Sequence, residues 1–133
     1  RKLLSIENNP PIQAVIDANL VPTFIALLHH TIPKFQFEAA WCLTNIASGT
    51  TDHVTNLIEK DVLTISFSFL SLLDEVVEQV IWGIGNIAGD SPTTRDSVLR
   101  SGALDKIAYV LDNAVAGTSF MRNASWALSN LCR

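Results

Sequence analysis

The chain has 133 residues, 48% of them hydrophobic and 17% charged, with a formal net charge of −4 and a pI near 5.2. That composition can fill a core and argues against disorder; a nucleic-acid binder usually carries a basic face, and an acidic chain is better suited to basic partners, although mild acidity is also ordinary for soluble proteins and carries little weight by itself. No apolar run reaches membrane-spanning length, which argues against membrane insertion; no secretory leader is visible, and the opening at Arg1 without a methionine reads as a piece excised from a longer protein.

In chain order, residues 1–11 read as the end of a preceding unit. A short helix then stops within Asp17-Ala-Asn-Leu-Val-Pro22, at Asn19, a residue type that tolerates left-handed backbone. A second helix is expected from Pro22 to His29, with proline in a favoured first-turn position. Thr31-Ile32-Pro33 breaks the chain, and a third helix runs roughly from Lys34 to Ser48, ending at Ser48-Gly49. The cycle restarts with a short helix that stops at Asp61. Val62 to Leu70 alternates partly like a strand, but Val62, Ile65, Phe69, Leu72 and Leu73 also form a helical face. The aligned stretches Val21–Leu28 and Ala103–Leu111 decide for helix. The next helix carries Trp82 and breaks at Gly89-Asp90-Ser91-Pro92, where Ser91 followed by Pro92 is a capped helix start. Gly102 ends the following short helix, a further break falls near Gly117, and the last helix carries Trp126.

These elements repeat. Ala40-Trp-Cys-Leu-Thr-Asn-Ile-Ala47, Ile81-Trp-Gly-Ile-Gly-Asn-Ile-Ala88 and Ser125-Trp-Ala-Leu-Ser-Asn-Leu-Cys132 align, and they hold all three tryptophans of the chain. Trp41 and Trp82 stand 41 residues apart, and Trp82 and Trp126 stand 44 apart. The stops Asn19, Asp61 and Gly102 are 42 and 41 residues apart, so the added length of the third unit falls around Asn113 to Ser119. Units of about 12–50, 51–90 and 91–133 follow, each of three helices. Three-helix units of about 40 residues are the armadillo or HEAT size class. The expected fold is all-α: one armadillo solenoid over residues 1–133, a right-handed superhelix with a concave inner surface.

Positions i−3, i and i+4 share a helix face. The tryptophan helices therefore present Glu38, Trp41, Asn45; Gln79, Trp82, Asn86; and Asn123, Trp126, Asn130. A helical tryptophan is usually core, but its recurrence with an asparagine, a poor helix former and costly to bury unbonded, points to an open surface. An asparagine amide offers a donor and an acceptor, matching the backbone of an extended peptide. Packed helices lie ~8–10 Å apart and an extended chain advances ~3.3 Å per residue, so successive asparagines can hold every third residue. Lysine and arginine stems fit slots between tryptophans, each gaining roughly 0.5–2 kcal/mol of cation–π attraction. Asp90 is well placed to end such a slot with a carboxylate; Glu38 is a second candidate, or equally a solvated helix charge.

These residues resemble importin alpha. Phe37-Glu-Ala-Ala-Trp-Cys-Leu-Thr-Asn-Ile-Ala-Ser-Gly49, Trp82-Gly-Ile-Gly-Asn-Ile-Ala-Gly-Asp-Ser91, Arg122-Asn-Ala-Ser-Trp-Ala-Leu-Ser-Asn-Leu-Cys-Arg133, Arg1-Lys-Leu-Leu-Ser5 and Asn9-Pro-Pro-Ile12 carry the likeness, which covers essentially the whole chain. The resemblance implies a nuclear import adaptor, shuttling between cytoplasm and nucleus, that binds the Lys/Arg-rich nuclear localisation signal of cargo and is carried by importin beta. It implies that the units are the family's second to fourth armadillo repeats, with the importin-beta-binding arm outside these residues. By matching positions it makes Trp41, Asn45, Trp82, Asn86, Trp126 and Asn130 the signal-binding array. It adds Gly49 and Asp90 as parts of a lysine pocket and Gln79 and Asn123 as polar contacts. The chain departs from the family at Val54, which stands where threonine is usual with Thr55 next to it. It also departs at Asp61 and Thr64 in place of Gly and Pro, and in the extra glycine of Trp82-Gly-Ile-Gly.

Other motifs carry less. Gly83-x-Gly85-x-x-x-Gly89 is no dinucleotide loop, since it lies inside a helical repeat with no preceding strand. Asn123-Ala-Ser125 matches a glycosylation acceptor but lacks a secretory context. Adjacent His29 and His30 point about 100° apart on a helix, and Cys42 and Cys132 read as reduced core thiols. No metal, no cofactor and no enzyme activity are expected. The alternative to an import adaptor is a structural armadillo scaffold, whose groove is typically basic and takes acidic partners.

Overall fold

The computed structural model describes residues 2–6, 9–67, 75–115 and 117–133. Among them every regular element is helical. After a 3-10 turn at Lys2–Ser5 come α1 (Ile12–Asp17), α2 (Val21–Leu28), α3 (Pro33–Ala47), α4 (Thr51–Glu59), α5 (Val62–Phe67), α6 (Glu75–Asp90), α7 (Pro92–Arg100), α8 (Ala103–Asn113) and α9 (Ser119–Leu131).

The punctuation follows from single residues. Asn19, Asp61 and Gly102 each adopt positive φ, at 53°, 61° and 82°. Each amide closes the preceding helix, onto Ile16, Ile58 and Leu99 carbonyls respectively. Proline stands in the first turn of α2, α3 and α7, where it removes only an amide that has no partner in the helix. The Ser91 hydroxyl accepts from the Thr94 amide at 3.3 Å, while the Thr94 hydroxyl accepts from the Ser91 amide at 3.0 Å. Thr50 begins α4 in a related way, its amide donating to His53 Nδ1 at 3.1 Å.

Two expectations shift. The break after Trp82 is narrower than its glycine and proline suggest: α6 runs through Gly89 to end at Asp90, leaving only Ser91 between it and α7. Cys132 is exposed beyond the end of α9, whereas Cys42 is buried as expected. In the ambiguous stretch Val62–Phe67 is helical, and Ser68–Leu70, with Leu72 and Leu73, lies outside the described residues.

The three tryptophan helices form one layer, with α6 packed between α3 and α9. Ile46, Leu57, Val77, Ile81, Val98, Ile107, Ala124 and Ala127 are wholly buried beneath or within it. Small residues set the spacing. A methyl group on Gly85 would run into the Trp126 ring, and one on Gly89 would lie 2.8 Å from Asn130 Nδ2. The glycine run that imitates a nucleotide loop is thus the seat of α9. On the other face of α6, the Thr44 hydroxyl lies against Gly83 and donates to the Gln79 carbonyl at 2.8 Å, tying α3 to α6.

Candidate functional site

The packing of α3, α6 and α9 sets their tryptophans side by side. Trp41 and Trp82 stand 6.4 Å apart, centroid to centroid, with ring planes inclined by 72°. Trp41 is further held by Phe37 at 6.0 Å and by its indole N–H, which donates to Ser5 Oγ at 3.0 Å. Trp82 is 41% exposed and Trp126 39%, a large apolar area to leave in water. The core explanation for the tryptophans therefore does not hold for these two.

The asparagines have a second task. Asn86 Nδ2 donates to the Thr44 carbonyl at 3.2 Å, and Asn130 Nδ2 to the Gly85 carbonyl at 2.9 Å. Thr44 and Gly85 immediately precede Asn45 and Asn86, so each asparagine grips the backbone just before its counterpart one unit back. Asn45 bonds the Trp41 carbonyl of its own helix at 2.9 Å instead. The burial that the sequence leaves unexplained is largely compensated here. Asn130 is the extreme case at 3% exposure, while Asn45 and Asn86 are half-buried. An amide has two N–H groups and an oxygen, so one internal bond leaves capacity for a ligand.

Two of the cavities on this layer gather most of the array. One, of about 260 Å³, is lined by Trp41, Thr44, Asn45, Ser48, Gln79, Trp82 and Asn86. Gln79 is 8% exposed, and its side-chain oxygen is buried with no hydrogen-bond partner. The other, of about 330 Å³, gathers Ser48, Gly49, Asn86, Asp90, Trp126, Asn130 and Arg133. Asp90 is thus brought together with Gly49 and Trp126, and it does not line the Trp41–Trp82 slot. Its Oδ1 accepts from the Thr51 hydroxyl at 3.1 Å, while Oδ2 is buried and has no hydrogen-bond partner. Asp90 is the last residue of α6, at the negative end of that helix, a position that favours cations.

The remaining candidates lie apart. Glu38 is half-buried and lines a cavity with Lys2, Ser5 and Trp41. Asn123 donates to Glu78 Oε1 at 3.1 Å, bridging α9 to α6. Val54 is fully buried and Thr55 exposed, and the hydroxyl beside Asp90 belongs to Thr51. Sequence reasoning missed Thr51, Ser5 and Arg133. Thr51 has one available signal, its place directly after the Gly49-Thr50 helix start; Ser5 and Arg133 have none, because neither recurs in the repeat.

The armadillo/beta-catenin-like repeat family model matches residues 8–48. Importin subunit alpha-2 of Arabidopsis thaliana and importin subunit alpha-1b of Oryza sativa subsp. japonica are each 52% identical to the chain over its whole length. The chain spans 25% of the length of either. Among solved structures, a designed armadillo repeat protein in complex with the peptide (KR)4 superposes with a TM-score of 0.86. It is 26% identical, with 98% of this chain and 62% of that one covered. A computationally designed armadillo protein for modular peptide recognition gives 0.86 at 28% identity, covering 98% of this chain and 55% of the other.

Proposed function

Along its whole length this chain is homologous to importin alpha, and it has the armadillo fold; from that premise we propose that it is the cargo-binding groove of a nuclear import adaptor. Its ligand is the Lys/Arg-rich localisation signal of a cargo protein, bound as an extended peptide over α3, α6 and α9. In this reading Asn45, Asn86 and Asn130 hold peptide backbone, and Trp41, Trp82 and Trp126 flank the basic side chains. Gln79, Asn123 and Glu38 add polar contacts, and Gly49 lines the cavity that holds Asp90. Units of about 12–50, 51–90 and 91–133 each supply one tryptophan–asparagine pair. The role is binding without catalysis, the adaptor moves between cytoplasm and nucleus, and importin beta engages it through a segment outside residues 1–133.

The observation that carries the reading is the buried, unpartnered Oδ2 of Asp90 in a cavity walled by tryptophan and asparagine. A buried carboxylate oxygen without a donor is costly, and an ammonium supplies both the charge and the proton. The (KR)4 ligand of the designed neighbour supports the same ligand class. Calorimetry with a lysine-rich signal peptide beside a charge-matched scrambled one tests it. Asp90→Lys is expected to weaken the signal peptide by a few kcal/mol, through lost pairing and added repulsion. Asp112→Lys, on the exposed face of α8, is expected to do little. Equal losses from both would leave only a diffuse acidic surface and overturn the assignment of the pocket.

A further inference from the structure

We propose that His53 is a positioning residue of this groove and serves it only as a neutral imidazole, so that basic-peptide binding weakens as His53 takes up a proton; the inference rests on the peptide-binding reading above. His53 is the third residue of α4 and is half-buried. Its Nδ1 accepts from the Thr50 backbone N–H at 3.1 Å, which closes the start of the helix. A backbone amide can only donate, so Nδ1 carries no proton and the ring's one proton sits on Nε2. That nitrogen donates to Gln13 Oε1 at 3.1 Å, and Gln13 Nε2 in turn donates to Asp17 Oδ1 at 2.7 Å. The relay ties α4 to α1 of the preceding unit. Protonation spoils one link of it: Nε2–H still meets Gln13, but a new Nδ1–H faces the Thr50 amide, donor against donor.

The ring also belongs to the groove wall. It lines a cavity of about 550 Å³ with Trp41, Asn45 and Gly49, and a methyl group on Gly49 would collide with its Nδ1. Gly49 lines the Asp90 cavity as well. An imidazolium here sets a positive charge beside residues that hold a polycation, and it loosens the turn whose Thr51 hydroxyl donates to Asp90. Three carboxylates reach this turn: Asp17 of α1 through Gln13, Asp90 of α6 through Thr51, and Asp52 from α4 itself. From α7 comes Arg95, paired with Asp96 at 2.8 Å. Lys34 and Glu38 of α3, and Glu75 and Glu78 of α6, stand near the opposite ends of those helices. Among the described residues Nδ1 meets the Thr50 amide and none of these carboxylates, so a proton added there gains no charge partner.

Histidine ordinarily changes charge between about pH 5 and 8, where lysine and arginine keep theirs. The test therefore titrates (KR)4 into the full chain at about pH 7.5 and about pH 5.5. The wild type is expected to bind about five-fold more weakly at the lower pH, the scale of one hydrogen bond. Glutamine is a usual acceptor at this helix position and does not titrate, so His53→Gln is expected to match the wild type at the higher pH and to lose the difference. His53→Leu, without an acceptor, is expected to bind weakly at both. His30 Nδ1 accepts from the Ile32 amide at 3.0 Å in a similar way but outside the groove, and His30→Gln is expected to keep the wild-type profile. If His53→Gln falls with pH as the wild type does, another group titrates and the proposal is overturned. If the wild type binds equally at both pH values, this inference falls while the groove reading stands. If the wild type binds at neither, both fall together.

Discussion

Asn86 illustrates how one side chain can serve fold and ligand together. Its Nδ2 donates to the Thr44 carbonyl across the α3–α6 seam, so Asn86→Ala is expected to lower stability by about 1 kcal/mol in addition to weakening peptide. Asn45→Ala breaks only a bond within α3, and urea denaturation should find the smaller loss there. Gly85 offers a sharper case. Replacing it with alanine gains up to about 1 kcal/mol of helix preference, but the new methyl group meets the Trp126 ring, and overpacking of that kind costs roughly 1–3 kcal/mol. Gly85→Ala is therefore expected to destabilise the chain and to shift tryptophan emission; a more stable variant with unchanged emission would contradict the seat described for Trp126. Residues that recur were legible in the sequence, as the tryptophan–asparagine pairs were. Ser5 and Arg133 were not, because their contacts with Trp41 and the second cavity are encoded by no spacing, and Thr51 was legible only through its place at the start of α4.

At the scale of the helix, the chain's stops were readable and its ends less so. Asn19, Asp61 and Gly102 take the left-handed backbone that their aligned positions suggest, because few residue types tolerate it. The end of α6 was misjudged since Gly89 reads as a break, whereas its lack of a side chain is what admits Asn130 beside the helix. The stops give a graded prediction. At Gly102, φ is 82° and nothing lies within 4 Å of where a side chain would begin, so only backbone strain opposes substitution. Gly102→Asn is expected to be nearly neutral, as Asn19 already holds that conformation, and Gly102→Val to cost about 1–2 kcal/mol. Thermal melting of the two variants decides, and equal melting temperatures would remove strain as the cause.

Over the whole molecule, the repeat fixes which faces meet. Its apolar positions, such as Ile46, Ile81 and Ile84, become the buried side of the tryptophan layer, and Trp82 and Trp126 stand on its open side, with Asn45 and Asn86 half-buried and Asn130 buried. That division was visible from the sequence because a repeated face must serve one purpose in every unit. The positions of the cavities were not visible, since they depend on how far α6 and α9 approach over Gly85 and Gly89. The central claim is that a basic, extended peptide lies along this layer. All three tryptophans of the chain belong to it, so tryptophan fluorescence, excited apart from Tyr109, reports on the groove. The most direct measurement is a titration with (KR)4, following heat and tryptophan emission in parallel. Saturable binding of one peptide per chain, with emission changing along the same curve, is the expected result; binding heat with unaltered emission would place the peptide elsewhere and contradict the account.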